Sequence, residues 1–276
     1  EGNVDFSGDH TPLFSVSYLT LLRHGLIADG RNEPAGNRPP RAVGGAASRL
    51  LRLADGSHYE ARATDLERDT LRLWIESSAP FAGTYAALGS GMFPVHFPIE
   101  VLERRCGACH GSPPPKKGAI YTNQYFAFDG KKPAYPLVDS FLDLQQIRAQ
   151  IGYYKCGDAL PPQGLCNLTR PEHSILLRAP LAAAAGGLHR CGEQPVFAGT
   201  DDQDYIALFD AIRAASEKEQ TERRFDMPGF VPNEYYLYQM RRYGILPQTP
   251  QPGETLDGYA LDRAYWKSFW YLPERQ

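Results

Sequence analysis

The chain is short of cysteine, methionine and tryptophan, and neither sign of charge dominates it. Five cysteines, three methionines and three tryptophans occur in 276 residues, and the formal net charge is −3. A balance so near zero offers no broad positive face to a phosphate backbone, so no nucleic-acid partner is expected. No run of about 18 apolar residues occurs, so no segment reads as a transmembrane helix. The longest apolar stretch, Ile175 to Leu188, is broken by Arg178, Pro180 and two glycines. No internal repeat of clear period is present, which excludes a solenoid or propeller reading. The sequence opens Glu-Gly-Asn-Val, with neither a starting methionine nor a signal-peptide pattern, and reads as a processed product or a piece of something longer.

Hydrophobic residues make up 42% and charged residues 22%, a globular composition. The length allows one large core or two of ordinary size. The 23 prolines and 26 glycines point to many turns and long ordered loops.

Apolar periodicity predicts helices more than strands. "SVSYLTLLRHGL" sets Val16, Leu19, Leu22 and Leu26 on one face, with Ser15 or Ser17 as cap. "AASRLLRLADG" predicts a short helix stopped by Gly56. Thr64 to Glu67 has capping-box spacing, and Leu66, Leu73 and Trp74 give the following helix an apolar stripe. "PIEVLERRCGACH" predicts a helix that buries Val101 and Leu102. "AIYTNQYFAF" is strand-like and "SFLDLQQIRAQIGYY" helical. A helix is expected to begin near Pro171 in "RPEHSILLRAPLAAA". "DDQDYIALFDAIRAASEKEQTERR" turns Tyr205, Leu208, Phe209 and Ile212 inward, and "PNEYYLYQMRRYGILP" does so with Tyr236, Met240 and Tyr243 before Gly244 and Pro247. The expected fold is mainly α and loop-rich, with little β-strand.

Cys106-Gly-Ala-Cys109-His110 is the most specific short motif in the chain. C-x-x-C-H is the attachment signature of a c-type haem. Two thiols one helical turn apart can add to the two vinyl groups of one haem, and the adjacent histidine can reach the iron. A zinc site would need two further ligands, usually a second close pair. Cys156, Cys166, Cys191 and other histidines exist, but no second C-x-x-C and no H-x-x-x-H. A redox dithiol would want a βαβ setting, which the pattern lacks. Cys156 and Cys166 flank a Gly/Pro-rich segment and can close a short disulfide loop, leaving Cys191 as a small buried thiol.

Several stretches together resemble one family. "SYLTLLRHGL", "LWIESSAPFAGTY", "RRCGACH", "NLTRPEHSILLRAPLAAAAGG" and "RFDMPGFVPNEYYLYQMRRYGILP" are similar, in this order, to the large haem-binding bacterial proteins related to the alpha subunit of hydrazine synthase, common in planctomycetes. The resemblance runs from about Val4 to Pro247. It implies cytochrome c-like modules. Residues 1–95 would be the distal part of a first module that lacks its own haem motif. Residues 96–250 would be a second module carrying C-x-x-C-H, and 251–276 a C-terminal extension. In that family the first module carries its own motif upstream, and the hydrazine-forming chemistry is assigned to the upstream haem, which this chain cannot hold alone.

One covalent haem c is therefore expected on Cys106 and Cys109, with His110 on the iron. The distal ligand is open between His173, His189 and Met227. The resemblance, in which the C-terminal haem looks bis-histidine, favours His173 before His189. His24 reads as a half-exposed helix residue that can also face the first haem pocket. Trp74 reads as core, and the basic "PPPKKG" loop as solvated rather than a docking patch. Asn167-Leu-Thr169 matches an N-glycosylation acceptor, which carries little weight in a bacterial protein.

With two ligands on iron, the expected role is electron transfer rather than catalysis, with a redox partner protein or other haem subunits, within a complex or a longer polypeptide. The alternatives are the C-terminal part of a hydrazine synthase-like catalytic subunit and an assembly subunit with a vestigial haem. Covalent haem attachment and a Cys156–Cys166 bridge both place the chain in the periplasm or on the outer face of a bacterial membrane.

Overall fold

A computed structural model describes residues 4–28, 30, 37–87, 93–110, 162–249 and 256–270. The strand-like "AIYTNQYFAF", the helical "SFLDLQQIRAQIGYY", the "PPPKKG" loop and Cys156 all lie outside the described residues, as do the side chains of Cys109 and His110. Among the described residues the fold is mainly helical and loop-rich. Its only β pairing consists of isolated bridges, His10–Ser15, Asp55–Arg62 and Leu181–Phe197. No helix among them is long and apolar enough to cross a membrane.

The helices are α1 (Val16–Arg23), α2 (Arg49–Leu53), α3 (Asp65–Glu76), α4 (Ile99–His110), α5 (Ile175–Arg178), α6 (Gln203–Glu222), α7 (Glu234–Arg242) and α8 (Gly258–Lys267). The chain divides into two compact units. The first holds Glu1–Pro80 and Phe93–Glu217, the second Phe81–Met92 and Lys218–Gln276. This division concerns packing. The module edges at 95 and 250 rest on the resemblance and stand apart from it.

Local chemistry explains several of the helix ends. Ser15 caps α1 by accepting from the Tyr18 N–H, and Asn233 caps α7 by accepting from that of Tyr236. Thr64 and Glu67 form both halves of a capping box on α3. Helix α2 ends at Leu53, capped by Ala54, before the expected stop; Gly56, with φ +98°, belongs to the turn that follows, where its N–H donates to the Ala61 carbonyl at 2.9 Å.

The stripe expected on α3 is corrected by the structure. Leu66 is 79% exposed and Leu73 58% exposed, while Ile75 is buried. Ile75 packs with Ile27 and Ala79, and Trp74 lies against them, its indole N–H donating to the Pro80 carbonyl at 2.9 Å. The buried face of α3 is therefore its C-terminal end, where the chain turns back at Ser78 and Ala79. Trp74 is held as part of this core, as its sequence context suggests.

The main core of the first unit gathers Phe93, Val95, Val101, Leu102, Leu168, Leu177, Phe197, Leu208 and Ile212. Tyr205, Leu208 and Ile212 face inward as their spacing requires, and Phe209 is partly buried against the same cluster. Val101 and Leu102 of α4 are buried there too. The single helix expected from Pro171 is instead a 3-10 turn (Pro171–His173), the short α5 and a second 3-10 turn (Ala183–Ala185). Pro180 accounts for the break, since it cannot donate to a helical ladder.

The turn at Gly186 and Gly187 returns the chain onto Leu181. Gly186 has φ +85°. A Cβ at Gly187 would stand 2.0 Å from the Leu181 carbonyl oxygen. Gly187→Ala is therefore expected to cost about 1–3 kcal/mol or more, because backbone rather than a movable side chain is in the way. Gly186→Ala should cost nearer about 1 kcal/mol. Denaturant melts of the two variants check the order.

In the second unit Tyr236, Met240, Leu246 and Ala86 form the core, with Leu261 and Tyr265 of α8 packed against them. Tyr243, expected inward, is 46% exposed and meets Tyr265 edge to face instead, ring centroids 5.3 Å apart.

Candidate functional site

Cys106, Cys109 and His110 occupy the last turn of α4, and their backbone there is helical. The spacing puts residues 106 and 109 on one side of the helix, one turn apart. Cys106 is half-buried and packs against the main core of the first unit. The donor chemistry fits thioether attachment, with two thiols at the helical interval and an imidazole beside the second.

The two residues before the motif fix the direction of α4. Arg104 donates to both carboxylate oxygens of Asp204, its Nε at 3.2 Å. Arg105 pairs with Asp202 and Asp204, and its guanidinium stands 5.0 Å from the Phe197 ring centroid. Asp202 also accepts from the Asp204 N–H at 2.8 Å, at the start of α6. Hydrogen bonds from Arg104 lower the Asp204 carboxyl below its usual range against a smaller opposing effect of burial. Four charged residues thus hold the motif helix to α6. Sequence reading did not find this clamp. Its only trace is the pair of arginines before the motif, and nothing local names partners about a hundred residues away.

The candidate distal ligands lie at separate places. His173 ends the Pro171–His173 turn, its imidazole exposed and 4.0 Å from the Glu172 carboxylate. His189 is exposed, with φ +44°, in the loop that Gly187 closes. Both belong to the first unit, as α4 does. The glycine pair beside His189 serves the approach of the loop backbone to Leu181. Met227 belongs to the second unit, and its sulfur accepts from the Arg224 N–H at 3.3 Å. His24 caps the C-terminus of α1, with Nε2 buried and no hydrogen-bond partner for it among the described residues.

Cys166 is buried in the main core, and that burial pushes its thiol well up, so it is protonated at neutral pH. Cys191 is half-buried. The other end of the expected Cys156–Cys166 bridge lies outside the described residues. Among the described residues no group of three or more His, Cys, Asp and Glu side chains sits together as a metal site.

Asn167 is not a surface acceptor. It is buried and donates its side-chain amide to Asp9 at 2.6 Å. Arg170 also donates to Asp9, from Nε at 2.8 Å and from a terminal nitrogen at 2.6 Å. The backbone follows the same seam, with Leu168 N–H on the His10 carbonyl at 2.7 Å and His10 N–H on the Thr169 hydroxyl at 2.9 Å. The run "NLTRPEHS" is thus occupied in binding the N-terminal segment, and this sets the backbone that carries His173.

Burial raises the Asp9 carboxyl, but the bonds from Asn167 and Arg170 outweigh it and hold the group below its ordinary value. A carboxylate depressed in the folded state stabilises above its unfolded pKa, and loses that contribution as pH falls through its folded one. Asp9→Asn should therefore be less stable than the parent at neutral pH, and the gap should shrink below about pH 4. Denaturant melts across that range measure it.

Comparisons with known proteins give little purchase. No protein-family profile matches the chain, and no solved structure matches it. A similar curated protein is the p-hydroxybenzoic acid efflux pump subunit AaeB of Pectobacterium carotovorum subsp. carotovorum (strain PC1), 38% identical over 76 residues. That match covers 27% of this chain and 11% of the pump subunit, so it carries no argument about the whole.

Proposed function

We propose that this chain is a c-type cytochrome module that carries electrons, with one haem covalently held at Cys106 and Cys109. The observation that carries the reading is the C-x-x-C-H motif in the last turn of α4, with Cys106 against the core. When bound, a haem supplies a reversible one-electron couple at its iron. The protein's part is to hold and orient. The Cys106 and Cys109 thiols would hold the haem through two thioethers, and His110 would ligate its iron. Arg104 and Arg105, through Asp202 and Asp204, keep α4 from rotating.

His173 is the proposed distal ligand, ahead of His189. Both share a compact unit with the motif helix, and both imidazoles stand clear of the core. The Met227 sulfur already receives a backbone N–H. A second histidine ligand beside His110 would suit electron transfer over small-molecule chemistry. The resemblance to hydrazine synthase alpha-like proteins supports a place in a larger redox assembly outside the cytoplasm, with another haem protein as partner.

The test is the mass of the denatured chain after expression with a haem-attachment system. One haem mass retained supports the reading. Both thiols titrating as free, or stoichiometric zinc, would sink it. The distal assignment has its own readout. His173→Ala should move the spectrum toward high spin and admit carbon monoxide, whereas Met227→Ala should leave the spectrum as it was.

A further inference from the structure

The second unit contains an open cleft of about 600 Å³ that the electron-transfer reading does not use. Its walls are mostly aromatic, with Tyr85, Tyr243, Tyr265 and Trp266 around a floor that includes Tyr236 and Asp262. Tyr265 and Trp266 meet edge to face at 5.7 Å, so faces as well as edges are presented. Trp266 and Tyr85 are each more than half exposed, unusual for rings of that size. Among the described residues no lysine or arginine lines the cleft.

Asp262 is the one charged group in the lining, and it is only 8% exposed. It accepts from the Tyr236 hydroxyl, the Thr84 hydroxyl and the Tyr85 N–H, each at 2.7 Å. All three donors are neutral. They fix the carboxylate's direction, and none of them is a counter-ion to it. After burial, the charges of Asp226, Asp257 and Asp262 are what push the nearby Tyr259 phenol up. The rings also attract cations within the folded chain, for the Arg242 guanidinium stands 5.9 Å from the Tyr243 centroid.

We propose that this cleft binds a small organic cation of the alkylammonium class, held by the ring faces of Trp266, Tyr265 and Tyr85 and by the charge of Asp262. Aromatic walls around a carboxylate are the recognition chemistry of a quaternary ammonium group, whose charge is spread over methyls that prefer rings to water. A volume of a few hundred Å³ suits a small molecule. The proposal is independent of the haem.

The experiment titrates the whole chain with choline and with its uncharged tert-butyl analogue, in which carbon replaces nitrogen, and follows tryptophan fluorescence and ligand NMR line widths. Choline should bind about tenfold or more tighter than the analogue, the difference being the charge. Asp262→Asn should remove that preference. Trp266→Leu alters an exposed ring and leaves the buried core alone, and should weaken choline about tenfold. Equal affinity for the two ligands would overturn the proposal. So would no choline binding up to about 10 mM, or choline binding indifferent to Trp266→Leu.

Discussion

Replacing Arg224 with methionine is expected to destabilise the second unit by about 3–5 kcal/mol. Both Arg224 and Glu219 have side chains with no exposure, at 4.0 Å from each other. Arg224 also donates to both oxygens of Asp226, at 2.6 and 2.7 Å. Its guanidinium stands 5.5 Å from the Phe81 ring centroid, and Phe81 packs edge to face on Phe225. Methionine matches the stem in volume but strands buried carboxylate charge, and that penalty dominates. The double variant Glu219→Gln, Arg224→Met should recover part of the loss, because one stranded charge is gone. Denaturant unfolding followed at the tryptophans measures both. A loss below about 1 kcal/mol would mean that the guanidinium is a spectator.

The second large effect is all-or-none. Cys106→Ser with Cys109→Ser should abolish covalent haem while leaving the helical signal nearly unchanged. Cys106 only skirts the core, and serine is close in size. Either single variant should keep one thioether and a red-shifted reduced spectrum. Arg105→Met gives the complementary case. It should loosen α4 from Asp202 and Asp204 and lower the yield of attached haem, with both thiols intact. Retention of covalent haem by the double serine variant would show attachment elsewhere and overturn the assignment.

Much of this architecture was legible from short-range chemistry. The Thr64–Glu67 capping box, the Ser15 cap and the inward face of Tyr205, Leu208 and Ile212 are decided within about one or two helical turns. The α3 stripe misled because periodicity names a face without saying how much of its length meets a partner. Leu66 and Leu73 lie on it exposed, while Ile75 takes the burial. Helix α8 went unread because "GYALDRAYWK" mixes charges among its rings. Its capping Asp257, which accepts from Tyr259 and Ala260, was the signal available.

The candidate site divides in the same way. The motif and its helix are local, so the sequence displays them. The Arg104–Asp204 and Asp9–Asn167 contacts join residues 100 and 158 positions apart, and no local pattern specifies such a pairing. The Asp262 carboxylate is the extreme case, with the Thr84 donor 178 positions away.

The separation between Arg104 and Asp204 also sets an order of events in time. A chain made from its N-terminus exposes "RRCGACH" while the hundred residues up to Asp204 are still to come. During that interval α4 lacks its clamp, and Leu208 and Ile212, which complete the core beside Cys106, do not yet exist. The Cys106 thiol is thus most accessible before the fold closes and less accessible once α6 docks. Any enzyme that modifies it works before α6 docks, and whatever delays that docking lengthens its opportunity without altering a single contact of the finished fold.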